Sequence, residues 1–217
     1  MREGITFADL DRNSTKRDEV RDLVADYILA NLPAEESVKL LSLPAEWRFE
    51  TRLIAAAPGR RMAFVGVERD ETSYENSLLH VPERGEVRRE GDYYCVSNKI
   101  HDFMMCHMEL ADFVSHLKRY GTEQLNCGWL DFCGNLGEPV MEALKESRRA
   151  FRENSPVAVT IMGKREQFFE ELGANSPESR DLARTAIIEE FGFKVEKAHK
   201  HIGHQRAPMT TYFCKAM

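Results

Sequence analysis

Apolar residues along this chain recur with two periods, and the two alternate. Near the amino terminus Val20, Leu23, Val24, Tyr27 and Ile28 fall three or four apart, the stripe of an amphipathic helix. Thr15 followed by Asp18 has the form of a capping box, and "NLP" stops the run. From residue 37 short apolar runs take turns with helical patterns. "SVKLLSL" predicts a strand ending at Pro44, and "WRFETRLIAAA" a helix closed by the turn "PGR". In "RMAFVGVERD" an unbroken apolar run from Met62 to Val67 predicts a strand buried on both faces. "TSYENSLLHV" reads as a short helix, "PERGEVRREGD" as a polar exposed connection and "YYCVS" as the third strand.

The second half repeats the rhythm. Leu110, Phe113, Val114 and Leu117 line one helix face, which Gly121 ends, and "LNCGWLDF" is the next strand. Gly137, Glu138 and Pro139 open a helix carrying Val140, Met141, Leu144 and Phe151, since proline suits a first helical turn. "PVAVTIM" is another buried strand. Ser176 as N-cap, Pro177 behind it and Gly192 past the end delimit a further helix. "FKVEKAHKHIGHQ" and "MTTYFCKAM", joined by "RAP", predict a closing hairpin.

Repeated strand–helix units imply parallel strands with right-handed crossovers and helices on both faces. The expected fold class is therefore α/β: a mostly parallel, doubly wound, Rossmann-like sheet with a carboxyl-terminal antiparallel hairpin and an amino-terminal helix. "MTTYFCKA" should insert antiparallel beside "PVAVTIM", with the Trp129 strand central. Residues 1–36 form a helical appendage in this reading, and residues 37–217 one α/β domain.

Composition narrows the class. At 42% hydrophobic and 30% charged, the chain has the makeup of a globular protein rather than a disordered one. It carries no apolar run of membrane-spanning length and no signal-peptide core, so a cytoplasmic location is expected. Five cysteines, an odd number without framework spacing or a CxxC pair, suit free thiols in a reducing compartment. A formal charge of −6 excludes polyanion binding driven by net charge and leaves room for a local basic groove.

The order of elements resembles the class I S-adenosylmethionine-dependent methyltransferase fold over residues 37–217. "MAFVGVERD" is similar to that family's second strand, whose terminal acid accepts hydrogen bonds from the cofactor ribose; Glu68 fits the role. "WLDFCGN" is similar to the fourth strand, whose end supplies a catalytic corner. Two features depart from the family. "LLSLPAEWRFE" stands where a glycine-rich cofactor loop belongs and contains no glycine, so Ser42, Leu43 and Pro44 would form an atypical loop with Glu50 early in the following helix. The fourth-strand corner also lacks the Pro-Pro-aromatic pattern with which amino-group nucleic-acid methyltransferases hold a flipped base. Glycine-poor versions with a "DFCG" corner are similar to phage and plasmid proteins.

The resemblance implies S-adenosylmethionine as cofactor, with Ser42, Leu43, Pro44, Glu68 and Asp102 around it and nucleic acid as a substrate class. Asp131 and Asn135 are the catalytic candidates: an acid after a buried strand must be satisfied or functional, and here it would orient the attacking group. Cys133 is assigned to packing, because a lone cysteine is ordinarily a small buried hydrophobe. Asp102 would approach an adenine amino group, and His101 is a weaker general-base candidate. Lys164 and Arg165 are the positions suited to a phosphate. His199, His201 and His204 lack an accompanying carboxylate or thiolate, and no metal site is expected. The rival reading is a Rossmann-like binding protein that has lost its cofactor.

Overall fold

The computed structural model describes residues 14–43, 47–82, 85–90, 93–115, 117, 124–132, 136–163, 169, 173–202 and 208–217. Among them, α1 (Ser14–Ala30), β1 (Val38–Ser42), α2 (Arg48–Ala56), β2 (Met62–Glu68) and α3 (Glu71–Leu79) form the first half. A hairpin follows, β3 (Glu86–Glu90) and β4 (Tyr93–Ser97), then β5 (His101–His107), α4 (Leu110–Ser115) and β6 (Cys127–Asp131). The chain closes with α5 (Glu138–Ser147), β7 (Pro156–Met162), α6 (Pro177–Glu190), β8 (Phe193–Ile202) and β9 (Pro208–Ala216).

All nine strands form one sheet in the order β3-β4-β5-β2-β1-β6-β7-β9-β8. β5, β2, β1, β6 and β7 run parallel, while β9 inserts antiparallel between β7 and β8. The expected parallel sheet, terminal hairpin and inner position of the Trp129 strand are all present. β2 and β7 are buried almost throughout, as their unbroken apolar runs require when helices cover both faces. One face packs Leu41, Val65, Phe113, Leu130 and Val159 beneath the α4–α6 side. The other packs Val24, Ile28, Trp47, Phe64, Phe103 and Trp129 beneath α1–α3.

Local chemistry sets several boundaries. α6 begins at Ser176, whose hydroxyl accepts from the Ser179 N–H at 3.1 Å while the Ser179 hydroxyl accepts from the Ser176 N–H at 2.9 Å. It ends before Gly192, which holds φ at 90°. Gly128 in β6 is required by packing, since a Cβ there would lie 2.4 Å from the Phe151 ring. α1 begins at Ser14, so Thr15 lies inside it rather than ahead of it.

Three expectations need correction. The polar "EVRRE" segment is an edge strand, β3, not a connection, and it pairs antiparallel with β4. β4 is antiparallel to β5, so the third parallel strand is His101–His107 rather than "YYCVS". Phe151 follows a short 3-10 turn after α5 and lies extended beside Leu125, not on the helix.

Candidate functional site

In an open parallel sheet the strand ends on the carboxyl side line a crevice where the direction of strand order reverses. Here that reversal falls between β1 and β6, because β2 and β5 extend one way and β7 the other. Register fixes which side chains meet there. Ser42 pairs with Gly66 and Trp129, Glu68 stands two residues beyond Gly66, and Asp131 two beyond Trp129. The pleat therefore directs Ser42, Glu68 and Asp131 to the same face, the one covered by α1–α3.

Each is held differently. Glu68 is half-buried, and one carboxylate oxygen accepts the Asp70 N–H at 2.9 Å. The other has no protein donor among the described residues. Asp70 caps α3 by accepting the Ser73 N–H at 2.8 Å, which holds its carboxyl below the ordinary range. Ser42 is buried, and its hydroxyl donates to Glu50 Oε1 at 2.6 Å, so it faces the protein rather than the crevice. Leu43 is half-buried. Asp131 is half-buried at the end of β6, paired in register with Thr160 of β7.

Glu50 is the group that sequence reasoning undervalued. It sits in the first turn of α2, 1% exposed, and its Oε2 is buried without a hydrogen-bond partner. Burial pushes its carboxyl up to about 7, with the Ser42 hydroxyl and the more distant Arg21 opposing. The signal was present in "WRFETRL", where Phe49, Glu50 and Leu53 share the buried side of the helix.

A second polar feature crosses the sheet beside Asp131. The Trp129 indole N–H donates to Thr160 Oγ1 at 3.0 Å, and the Thr160 and Thr211 hydroxyls bond at 2.8 Å. Thr211 Oγ1 lies 3.0 Å from His201 Nε2. Indole only donates, so the chain has one fixed end, on the strand that carries Asp131. Its partners come from four strands, β6, β7, β9 and β8.

Asp102 is not brought to this group. It lies at the amino end of β5, in register with Ala63, on the opposite face and roughly 16 Å of strand from His107. The misplacement follows from the misassigned third strand. His101 is buried at the same remote edge. The residue that does reach the carboxyl edge from β5 is His107, its Nε2 3.1 Å from the Arg69 carbonyl oxygen and its ring stacked 4.9 Å from Tyr74. Pro44, Cys133, Gly134, Asn135, Lys164, Arg165 and His204 lie outside the described residues. A groove of about 690 Å³ between Ala34–Ser37 and Ala57–Arg61 lies at the amino edge, away from these groups.

Aromatic packing fixes Trp47 at the start of α2. Trp47 is buried, its indole N–H donates to the Ser77 carbonyl at 2.9 Å, and its ring meets Phe103 edge-on at 5.4 Å. Phe49 meets Trp129 in the same manner at 4.6 Å. Large side chains thus fill the space at the start of α2.

No protein-family model matches the sequence, and no curated protein matches it. Among solved structures, the chain is similar to Trm1 from Pyrococcus horikoshii in complex with S-adenosyl-L-methionine, at 16% identity and TM-score 0.57. That match covers 94% of this chain and 54% of the other, so the chain spans about half the length of that relative. It is similar to the N-methyltransferase NodS from Bradyrhizobium japonicum WM9 at 7% identity and TM-score 0.55, covering 94% of this chain and 99% of that one. The [4+2]-cyclase SpnF matches at 13% identity and TM-score 0.53, over 91% of this chain and 80% of its own. The fold is that of the class I S-adenosylmethionine-dependent methyltransferases.

Proposed function

We propose that this protein binds S-adenosylmethionine at the carboxyl edge of β1, β2 and β6 and transfers its methyl group to a nucleic-acid acceptor. The observation that carries the reading is the convergence of Glu68 and Asp131 on one face at the switch point of a methyltransferase-type sheet. The donor set fits in part. Glu68 keeps an oxygen open toward hydroxyl donors such as those of a ribose, while Ser42 is committed to Glu50. The bound cofactor supplies an electrophilic methyl group. Glu68 holds the ribose, Leu43 and the end of β1 border the ligand, and Asp131 orients the acceptor's attacking group. Positioning of this kind is the main contribution such a protein makes to a displacement.

Calorimetry with S-adenosylmethionine and S-adenosylhomocysteine tests the reading. Wild-type protein should bind both, and Glu68→Gln should weaken binding by about 1–3 kcal/mol, the scale of hydrogen bonds to a charged acceptor. Wild-type protein that gives no heat at millimolar cofactor refutes it.

One observation favours a second reading, a cofactor-free binding protein. Trp47 and Phe49 fill the space at the start of α2, and Glu50 takes the Ser42 hydroxyl. SpnF, a cyclase by name, has a similar fold, and a fold does not dictate its chemistry.

A further inference from the structure

We infer that the α1-side face of the β8–β9 hairpin is a binding track for the phosphodiester backbone of a nucleic-acid strand. The inference deepens the transferase reading by placing its substrate, and it rests on that reading only for the strand's role. Three lysines carry it. Lys194 stands directly opposite Lys215 across the β8–β9 ladder, and Lys197 stands opposite Phe213. In a regular strand, residues three apart would point to opposite faces. The bulge between Val195 and Lys197 cancels that alternation and aims Lys194 and Lys197 to one side.

Two of the lysines lie over one aromatic pair. Lys197 Nζ lies 4.5 Å from the Phe213 ring centroid and 5.8 Å from that of Tyr27, and Lys215 Nζ also lies 5.8 Å from Tyr27. Tyr27 is fixed below them, its hydroxyl shared between the Cys214 carbonyl at 2.7 Å and Glu196 at 2.9 Å. Glu196 is thus partly engaged by the phenol. Like charges directly opposite in a ladder repel; Glu196 acts on Lys215, but among the described residues none of the three ammoniums closes an ion pair within 4 Å.

Several other cations meet carboxylates. Arg52 meets Asp18 and Asp22, Arg152 meets Glu36, and Arg184 and Lys200 meet Asp181. On a chain with net charge −6, a face where three lysines gather and Glu196 offsets their charge only in part suits a polyanion. The column continues along the same face through His199 and His201, whose rings stack at 6.0 Å. It ends at the carboxyl edge, beside the threonine pair that adjoins Asp131. From Lys194 to His201 the strand spans roughly 23 Å, enough for several successive phosphates. Phosphate contacts of this kind position a strand without reading its sequence.

The test is fluorescence anisotropy of a labelled single-stranded DNA oligonucleotide over a range of salt concentrations. Wild-type affinity should fall with salt. Combined Lys194→Gln, Lys197→Gln and Lys215→Gln should lower affinity at least about tenfold and reduce the log–log slope by about 2, since each phosphate contact contributes roughly 0.7. Arg88→Gln with Arg89→Gln, on the opposite sheet edge, should change neither. If the triple variant loses its wild-type thermal midpoint, Lys194→Glu alone should still weaken binding several-fold. Wild-type protein that ignores the oligonucleotide at low salt, or a triple variant with unchanged affinity and slope, overturns the inference. So does polyglutamate competing as well as the oligonucleotide, which would make the face an acidic-protein dock. S-adenosylmethionine calorimetry on the same proteins separates the two ideas: strand binding without cofactor binding removes the transferase reading and leaves the track.

Discussion

Replacing Glu50 with glutamine should change how stability depends on pH, and the structure sets the size of the effect. The carboxyl is fully enclosed, with one oxygen unpaired, and burial outweighs the hydrogen bonds from Ser42 and its own backbone, so the folded state favours its neutral form. Its folded value is about 7 against an ordinary 4.5. The unfolded chain therefore releases this proton first as pH rises. Stability should be greatest below about 4.5, fall between about 4.5 and 7, and level off above that. A separation of about two and a half pH units corresponds to about 3 kcal/mol lost across the window. Glu36 acts in the opposite sense. Arg152 and Asn126 hold its carboxyl low, so its contribution is present above the ordinary carboxylate value and is lost as pH falls. The two windows do not overlap, and a maximum near pH 5 is expected.

Urea unfolding followed by tryptophan fluorescence measures this directly, because Trp47 and Trp129 are both buried in the core that holds Glu50. Wild-type protein should lose on the order of 3 kcal/mol between about pH 5 and pH 8. Glu50→Gln should be nearly flat over the same range. It should match or exceed wild type at about pH 8 by 1–2 kcal/mol, the remainder being offset by an unpaired amide. Identical pH slopes for the two proteins would refute the reasoning and place the wild-type titration elsewhere.

Asp131→Asn should abolish methyl transfer while leaving folding and cofactor affinity nearly intact, measured by a radiolabelled transfer assay beside calorimetry; full activity in the variant would remove Asp131 from the site. Gly128→Ala should destabilise the fold by about 1–3 kcal/mol through overpacking against the Phe151 ring. Phe151→Leu in the same chain should recover part of that loss in urea unfolding, and no loss from Gly128→Ala alone would show that the ring yields freely. Tyr27→Phe should lower stability by about 1 kcal/mol, because the Cys214 carbonyl loses its buried donor.

Continuous apolar runs were enough to locate β2, β6 and β7, because a strand covered on both faces has no polar side to interrupt it. Ser176, Pro177 and Gly192 likewise marked the ends of α6 through chemistry confined to a few neighbouring residues. β3 carried no such signal. "EVRRE" is held by backbone pairing with β4 at a sheet edge, where the side chains of Glu86–Arg89 remain in solvent, and that misreading displaced the third parallel strand and Asp102 with it. The polar chain from Trp129 to His201 joins residues as many as 51 positions apart, so local patterning cannot register it. Burial of Glu50 depends on α1 and α2 closing over one face, and the alignment of Lys194 with Lys197 depends on one bulge. The convergence of Ser42, Glu68 and Asp131 is likewise a product of strand order and register. Periodicity reports which side of its own element a residue occupies, whereas only the assembled sheet decides which residues from distant elements meet there.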